Sequence, residues 1–94
     1  MKEAMRIYLS RSIYDDPKKI QKIIRELEEE GNLVHDGVKV YEELGGDTGK
    51  LLEFIEKRSD LVIFIPTFTP GVRAEYEYVK KIGKPYKISR RIVR

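Results

Sequence analysis

The spacing of hydrophobic positions changes several times along the chain, and each change marks an element. "MRIYLS", residues 5–10, sets Ile7 and Leu9 about Tyr8 and reads as a first strand. "DDPKKIQKIIRELEEEG", residues 15–31, carries Ile20, Ile23, Ile24 and Leu27 at i, i+3, i+4 and i+7, one apolar face of a helix. Asp15 or Asp16 suits its cap, Pro17 its first position and Gly31 its stop. "NLVHDGVKVYEEL" reads as a second strand region interrupted by Gly37. "DTGKLLEFIEKRS" reads as a second helix with Leu51, Leu52 and Ile55 inward. "DLVIFIP", residues 60–66, is a continuous apolar run, as in a strand buried on both faces of a parallel sheet. Thr69-Pro70 can cap and open a third helix that Gly83 ends, and "KPYKIS" supplies a last strand.

Strands alternating with helices imply right-handed crossovers and a parallel sheet. The expected fold is a single α/β domain over residues 1–94. It is a small three-layer, Rossmann-like or flavodoxin-like sheet of about four strands in the order 2-1-3-4, with helices on both faces. Ligands of such sheets lie beyond the carboxyl ends of the strands where the order reverses. Strands one and three flank that point, which singles out Ser10-Arg11-Ser12 and the loop from Thr67 to Gly71. Helix N-termini there favour an anion. The first helix has Lys18, Lys19, Lys22 and Arg25 early and Glu26, Glu28, Glu29 and Glu30 late, against its own dipole. A basic helix start facing an anionic ligand would account for that order.

Composition narrows the chemistry. Charged residues make up 37% and hydrophobic ones 40%, which suits a folded domain. The absence of cysteine removes thiolate nucleophiles, disulfides and Cys-based zinc sites, and a single histidine removes a multi-His metal site. No metal or organic cofactor is implied. No apolar run approaches membrane-spanning length and no signal peptide is visible, so a cytoplasmic protein without membrane contact is expected. Abundant Lys, Arg, Glu and Ile resembles the composition of thermophile proteins. Net charge is +3, but seven basic residues and no acidic ones fall between Lys80 and Arg94. That run suits an anion, nucleic acid or an acidic partner, or is a solvated tail. "LGGDTGKLL" is not a phosphate-binding P-loop: Leu44 replaces the first glycine and Leu51 the Ser or Thr after the lysine. His35, beside Asp36 and Gly37, reads as structural.

Glu75 is the stronger candidate. With Thr69 as cap and Pro70 as first helical residue, it occupies the second turn of a helix following a buried strand. A carboxylate there can serve as nucleophile or base, or can simply stabilise the helix start. Gly71 permits close approach of a ligand, and Arg73 stands on the same first turns.

"TPGVRAEYEYVKKIGKP" resembles the nucleoside 2-deoxyribosyltransferase family, and within it the 2′-deoxynucleoside 5′-phosphate N-hydrolases. Gly71 lies four residues before Glu75, Gly83-Lys84-Pro85 begins eight after it, and Thr69 lies six before it. "IYLSRSI" is similar to the family's first strand and loop, with Tyr8, Ser10 and Ser12 at matching positions and Arg11 where glycine is usual. "SDLVIF" is similar to its third strand. The resemblance implies cleavage of an N-glycosidic bond. Glu75 would be the nucleophile at C1′ and Tyr8 its positioning partner, with Ser10, Arg11, Ser12, Thr69, Gly71 and Arg73 around sugar or phosphate. A nucleoside 5′-monophosphate is the expected substrate, and a homodimer is expected to complete a shallow site.

The chain departs from the pattern at the family's second acid, which assists the departing base. Counting back eight from Asp60 reaches Leu52; Glu53 and Asp47 are the nearest substitutes. The Asp usual before the turn glycine is replaced by Thr69-Pro70, and Ser89, Arg90 and Arg91 stand in for a longer C-terminal segment. The missing acid supports one alternative, a nucleotide-sensing module without turnover. The basic C-terminus supports another, a domain that binds nucleic acid or a protein partner.

Overall fold

The computed structural model describes residues 4–66 and 68–89. Its elements are β1 (Arg6–Ser10), α1 (Pro17–Glu29), β2 (Leu33–Asp36), α2 (Gly37–Glu43), α3 (Thr48–Arg58), β3 (Leu61–Phe64), α4 (Pro70–Ile82) and β4 (Tyr86–Ile88). The four strands form one parallel sheet in the order β2-β1-β3-β4. Tyr8 pairs with His35 on one side and Val62 on the other. This is the expected three-layer, Rossmann-like α/β arrangement. Thr67, Arg90, Arg91 and Arg94 lie outside the described residues.

Side-chain alternation along β1 divides the core in two. Leu9 faces α1, where it packs with Ile20, Ile23, Ile24 and Ile65. Tyr8 faces the other way, into a cluster that includes Val40, Leu51, Ile55, Val62, Phe64, Val72 and Val79 from α2, α3, β3 and α4. Each fully buried aliphatic side chain contributes about 1.5–3 kcal/mol. The caps follow the sequence. Asp16 accepts from the Lys18 amide at 2.9 Å, Thr69 accepts from the Val72 amide at 3.3 Å, and Gly83 closes α4 with φ +71°. At the amino end of the sheet, Asp60 receives the backbone N–H and guanidinium of Arg6 and joins the starts of β1 and β3.

The segment after β2 differs from the sequence expectation. The chain does not resume a strand after Gly37 but turns at once into α2, a fourth helix. Asp36 caps it by accepting from the Val38 amide at 3.1 Å. A Cβ at Gly37 would lie 2.7 Å from the Leu9 carbonyl oxygen and 2.7 Å from the Tyr8 hydroxyl, so only glycine fits. Val38 and Val40 look like strand alternation. In the helix, however, Val40 packs into the core with Leu44 four residues on, while Val38, Tyr41 and Glu42 share another side.

Candidate functional site

Glu75 is buried, 9% exposed, and held by two hydroxyls from β1. Ser10 donates to Oε1 at 2.9 Å, and the Tyr8 hydroxyl lies 3.2 Å from Oε1 and 3.3 Å from Oε2. Tyr8 and Ser10, two residues apart in the strand, necessarily point to one face. Both are fully buried. The partnership across 65 to 67 residues exists because β1 lies beside β3, and β3 delivers the chain to the start of α4. Burial pushes the Glu75 carboxyl up to about 7, while the hydrogen bonds from Ser10 and Tyr8 pull it back down. Burial and the neighbouring Glu75 charge push the Tyr8 hydroxyl far up, so it remains a proton-bearing donor.

Glu75 opens on a cavity of about 520 Å³ beyond the carboxyl end of the sheet. Tyr8 lines it, and Arg11, Ser12, Ile13 and Tyr14 enter from the β1–α1 loop. From the start of α4 come Thr69, Gly71, Val72, Ala74 and Glu75, and from α3 come Thr48, Leu51 and Leu52. Gly37, Val38, Tyr41 and Glu42 line the α2 side. A Cβ at Gly71 would meet nothing nearer than the Thr69 hydroxyl at 3.9 Å, so the glycine leaves that part of the cavity open. The β1–α1 loop is preformed: Asp15 accepts from the Ser12 amide at 3.0 Å, and Ser12 Oγ accepts from the Tyr14 amide at 3.0 Å.

The sequence candidates separate into two groups. Tyr8, Arg11, Ser12, Thr69, Gly71 and Glu75 line one cavity, and Ser10 holds Glu75 from behind. Arg73 is exposed and not part of the lining. The two substitute acids also lie elsewhere. Glu53 is exposed and pairs with Lys57 at 3.1 Å along its own helix, and Asp47 is spent capping α3, accepting from the Lys50 amide at 3.0 Å. Leu52 does reach the cavity. The basic start of α1 does not face it either, because α1 packs on the opposite face of the sheet. Lys18, Lys19, Lys22 and Arg25 are all outside the lining.

Arg11 is the one cation among the described lining residues, and its charge is already engaged. Its guanidinium makes two 2.9 Å bonds to the Asp36 carboxylate, with a third donor on the Ser12 carbonyl at 3.1 Å. Asp36 is absent from the sequence candidates; it stands 25 residues from Arg11 and meets it only through β1–β2 pairing. Glu42 is absent too, because its segment reads as strand. His35 packs edge-on against Phe54 at 5.0 Å, and burial lowers its pKa, in keeping with a structural role. Among the described residues no group of three His, Cys, Asp or Glu is placed to hold a metal ion. No described helix is long and apolar enough to cross a membrane. Comparison with protein-family models, with curated proteins and with solved structures returned no match.

Removing the Tyr8 hydroxyl tests the hydrogen-bonded carboxylate directly. Tyr8→Phe leaves Glu75 with one donor, so its pKa moves further upward. The measurement is a carboxyl-carbon NMR titration of Glu75, in which the midpoint rises in the variant. An unchanged midpoint would mean that the Tyr8 hydroxyl has no part in setting the ionisation.

Proposed function

We propose that this protein cleaves the N-glycosidic bond of a nucleoside or nucleoside 5′-monophosphate, with Glu75 as nucleophile. The observation that carries the reading is the buried Glu75 carboxylate, held by Ser10 and Tyr8 on the wall of a 520 Å³ cavity. Oε1 receives two hydroxyl contacts and Oε2 one, so Oε2 has lone pairs to spare for C1′. Two donors fix the carboxylate in place and remove the entropy of finding an attack geometry. A cavity that holds the ionised form poorly gives it more to gain by bonding to a cationic, oxocarbenium-like centre. The apolar Leu51, Leu52 and Val38 with Tyr41 suit a planar base, and the Ser12 and Thr69 hydroxyls suit a sugar.

The test is release of free base from a panel of nucleosides and their 5′-monophosphates by the purified chain, followed chromatographically. Saturable binding with no base released would select the second reading, a nucleoside-binding module. That reading is favoured by Leu52, an apolar side chain in the cavity where the family resemblance calls for an acid.

Phosphate recognition falls to Arg11. Asp36→Asn keeps a capping acceptor for α2 and removes the charge that occupies the guanidinium. KM for a 5′-monophosphate then falls by about tenfold, the worth of one charge-assisted hydrogen bond, while KM for the nucleoside is unchanged. Equal shifts for both substrates would remove Arg11 from the phosphate site.

A further inference from the structure

Bond cleavage at a nucleoside asks for a second group, because most bases leave poorly without a proton. The described lining residues include two carboxylates, Glu75 and Glu42. Their placement is related. Glu75 is the sixth residue of α4 counted from Pro70, and Glu42 is the sixth residue of α2 counted from Gly37. The two helices follow β3 and β2, the strands on either side of β1. Adjacent strands lie about 4.8 Å apart, so β2 and β3, the strands that lead into these helices, run roughly 10 Å apart on either side of β1. Both carboxylates line one cavity of about 520 Å³, room enough for a sugar and its base. Val38, Tyr41 and Glu42 occupy positions i, i+3 and i+4 of α2, so the helix presents an apolar residue, a ring and an acid to one cavity wall. Glu75 is buried and Glu42 exposed. The nucleophile is thus shielded, and the second acid stands on the solvent side, where the base departs.

Resting on the glycosidase reading, we propose that Glu42 is the general acid that protonates the leaving base. In the first step a Glu75 oxygen bonds to C1′ as the C1′–N bond breaks. The electron pair goes to the base, and the Glu42 carboxyl proton is delivered to a ring nitrogen of that base. In the second step a water oxygen bonds to C1′ as the C1′–Glu75 bond breaks. Glu42, now a carboxylate, takes the proton from that water and returns to its starting form. Glu42 does on α2 what Leu52 cannot do on α3.

The test is Glu42→Gln, with Glu43→Gln as control, since Glu43 is exposed and outside the lining. Each variant is assayed on an ordinary purine nucleoside and on its N7-methylated counterpart, whose base departs neutral without needing a proton. Loss of acid catalysis lowers the first-turnover rate of base release from the ordinary nucleoside by about 10²- to 10⁴-fold and leaves that rate for the N7-methylated substrate within about threefold of wild type. Glu43→Gln changes neither. Equal losses on both substrates, or no loss on either, would overturn the assignment while leaving Glu75 and the glycosidase reading in place. Base release by wild type from neither substrate, nor from the corresponding monophosphates, would overturn the glycosidase reading and this assignment with it.

Discussion

Glu75→Gln abolishes base release, with kcat falling by about 10⁴-fold or more, the scale on which loss of a nucleophile is felt. The glutamine side chain keeps the length and shape of the original, and its amide oxygen can still accept from Ser10 at the position of Oε1. What it loses is the negative charge and the capacity to form a glycosyl ester. The substituted protein should still bind nucleoside with little change in Kd, because sugar and base contacts come from Ser12, Thr69 and the apolar wall. Isothermal titration beside a base-release assay separates the two effects. Full turnover by the variant would exclude Glu75 as the nucleophile.

Stability falls as pH rises from about 4.5 to about 7, and Glu75→Gln removes most of that fall. The unfolded chain has Glu75 ionising near 4.5, whereas burial moves the folded carboxyl to about 7. Between those values the folded state binds a proton that the unfolded state has lost, so stability decreases with rising pH. The contribution is whole below pH 4.5 and gone above pH 7. Its size is on the order of 3 kcal/mol, from a shift of that magnitude at about 1.4 kcal/mol per unit. For a domain of this size that amounts to roughly ten degrees or more in Tm. Thermal melts from about pH 5 to about pH 9 should show wild type losing stability while Glu75→Gln stays level and becomes the more stable protein at the alkaline end. Parallel curves would show that the buried carboxyl is not the group responsible. On an N7-methylated nucleoside, whose base needs no proton, activity runs the other way: the nucleophile must be ionised, so kcat/KM climbs through about pH 7 as stability declines. The protein gives up stability to keep a reactive anion buried, as strained functional groups in folded proteins commonly require.

Much of the fold was legible because local rules and packing agree. Pro17, Ile20, Ile23, Ile24 and Gly31 define α1 by period and by caps, and its isoleucines pack it on the sheet. "LVIF" is apolar throughout because both faces of β3 are covered. The stretch after Gly37 misled because Val38 and Val40 alternate like a strand. The deciding fact is non-local: the Leu9 carbonyl and Tyr8 hydroxyl crowd Gly37 and leave no room for a side chain. The misread element concealed one candidate. Glu42 becomes visible only when α2 is a helix, and Asp36 only when β2 lies beside β1.

By itself the sequence determined the strand order, the crevice beyond β1 and β3, and the membership of Ser12, Thr69 and Glu75 in it, since strand alternation and helix caps are properties of neighbouring residues; Tyr8 was placed there by the family resemblance alone. The tertiary structure alone decided ionisation and pairing. Glu75 is poised near neutrality because two layers of the fold close over it. Arg11 is committed to Asp36 because β2 lies beside β1. Glu42, rather than Glu53 or Asp47, shares the cavity with Glu75, because the direction in which a carboxylate points depends on how its helix is packed. Burial and long-range contact are sums over the whole chain, and no local stretch of residues contains them.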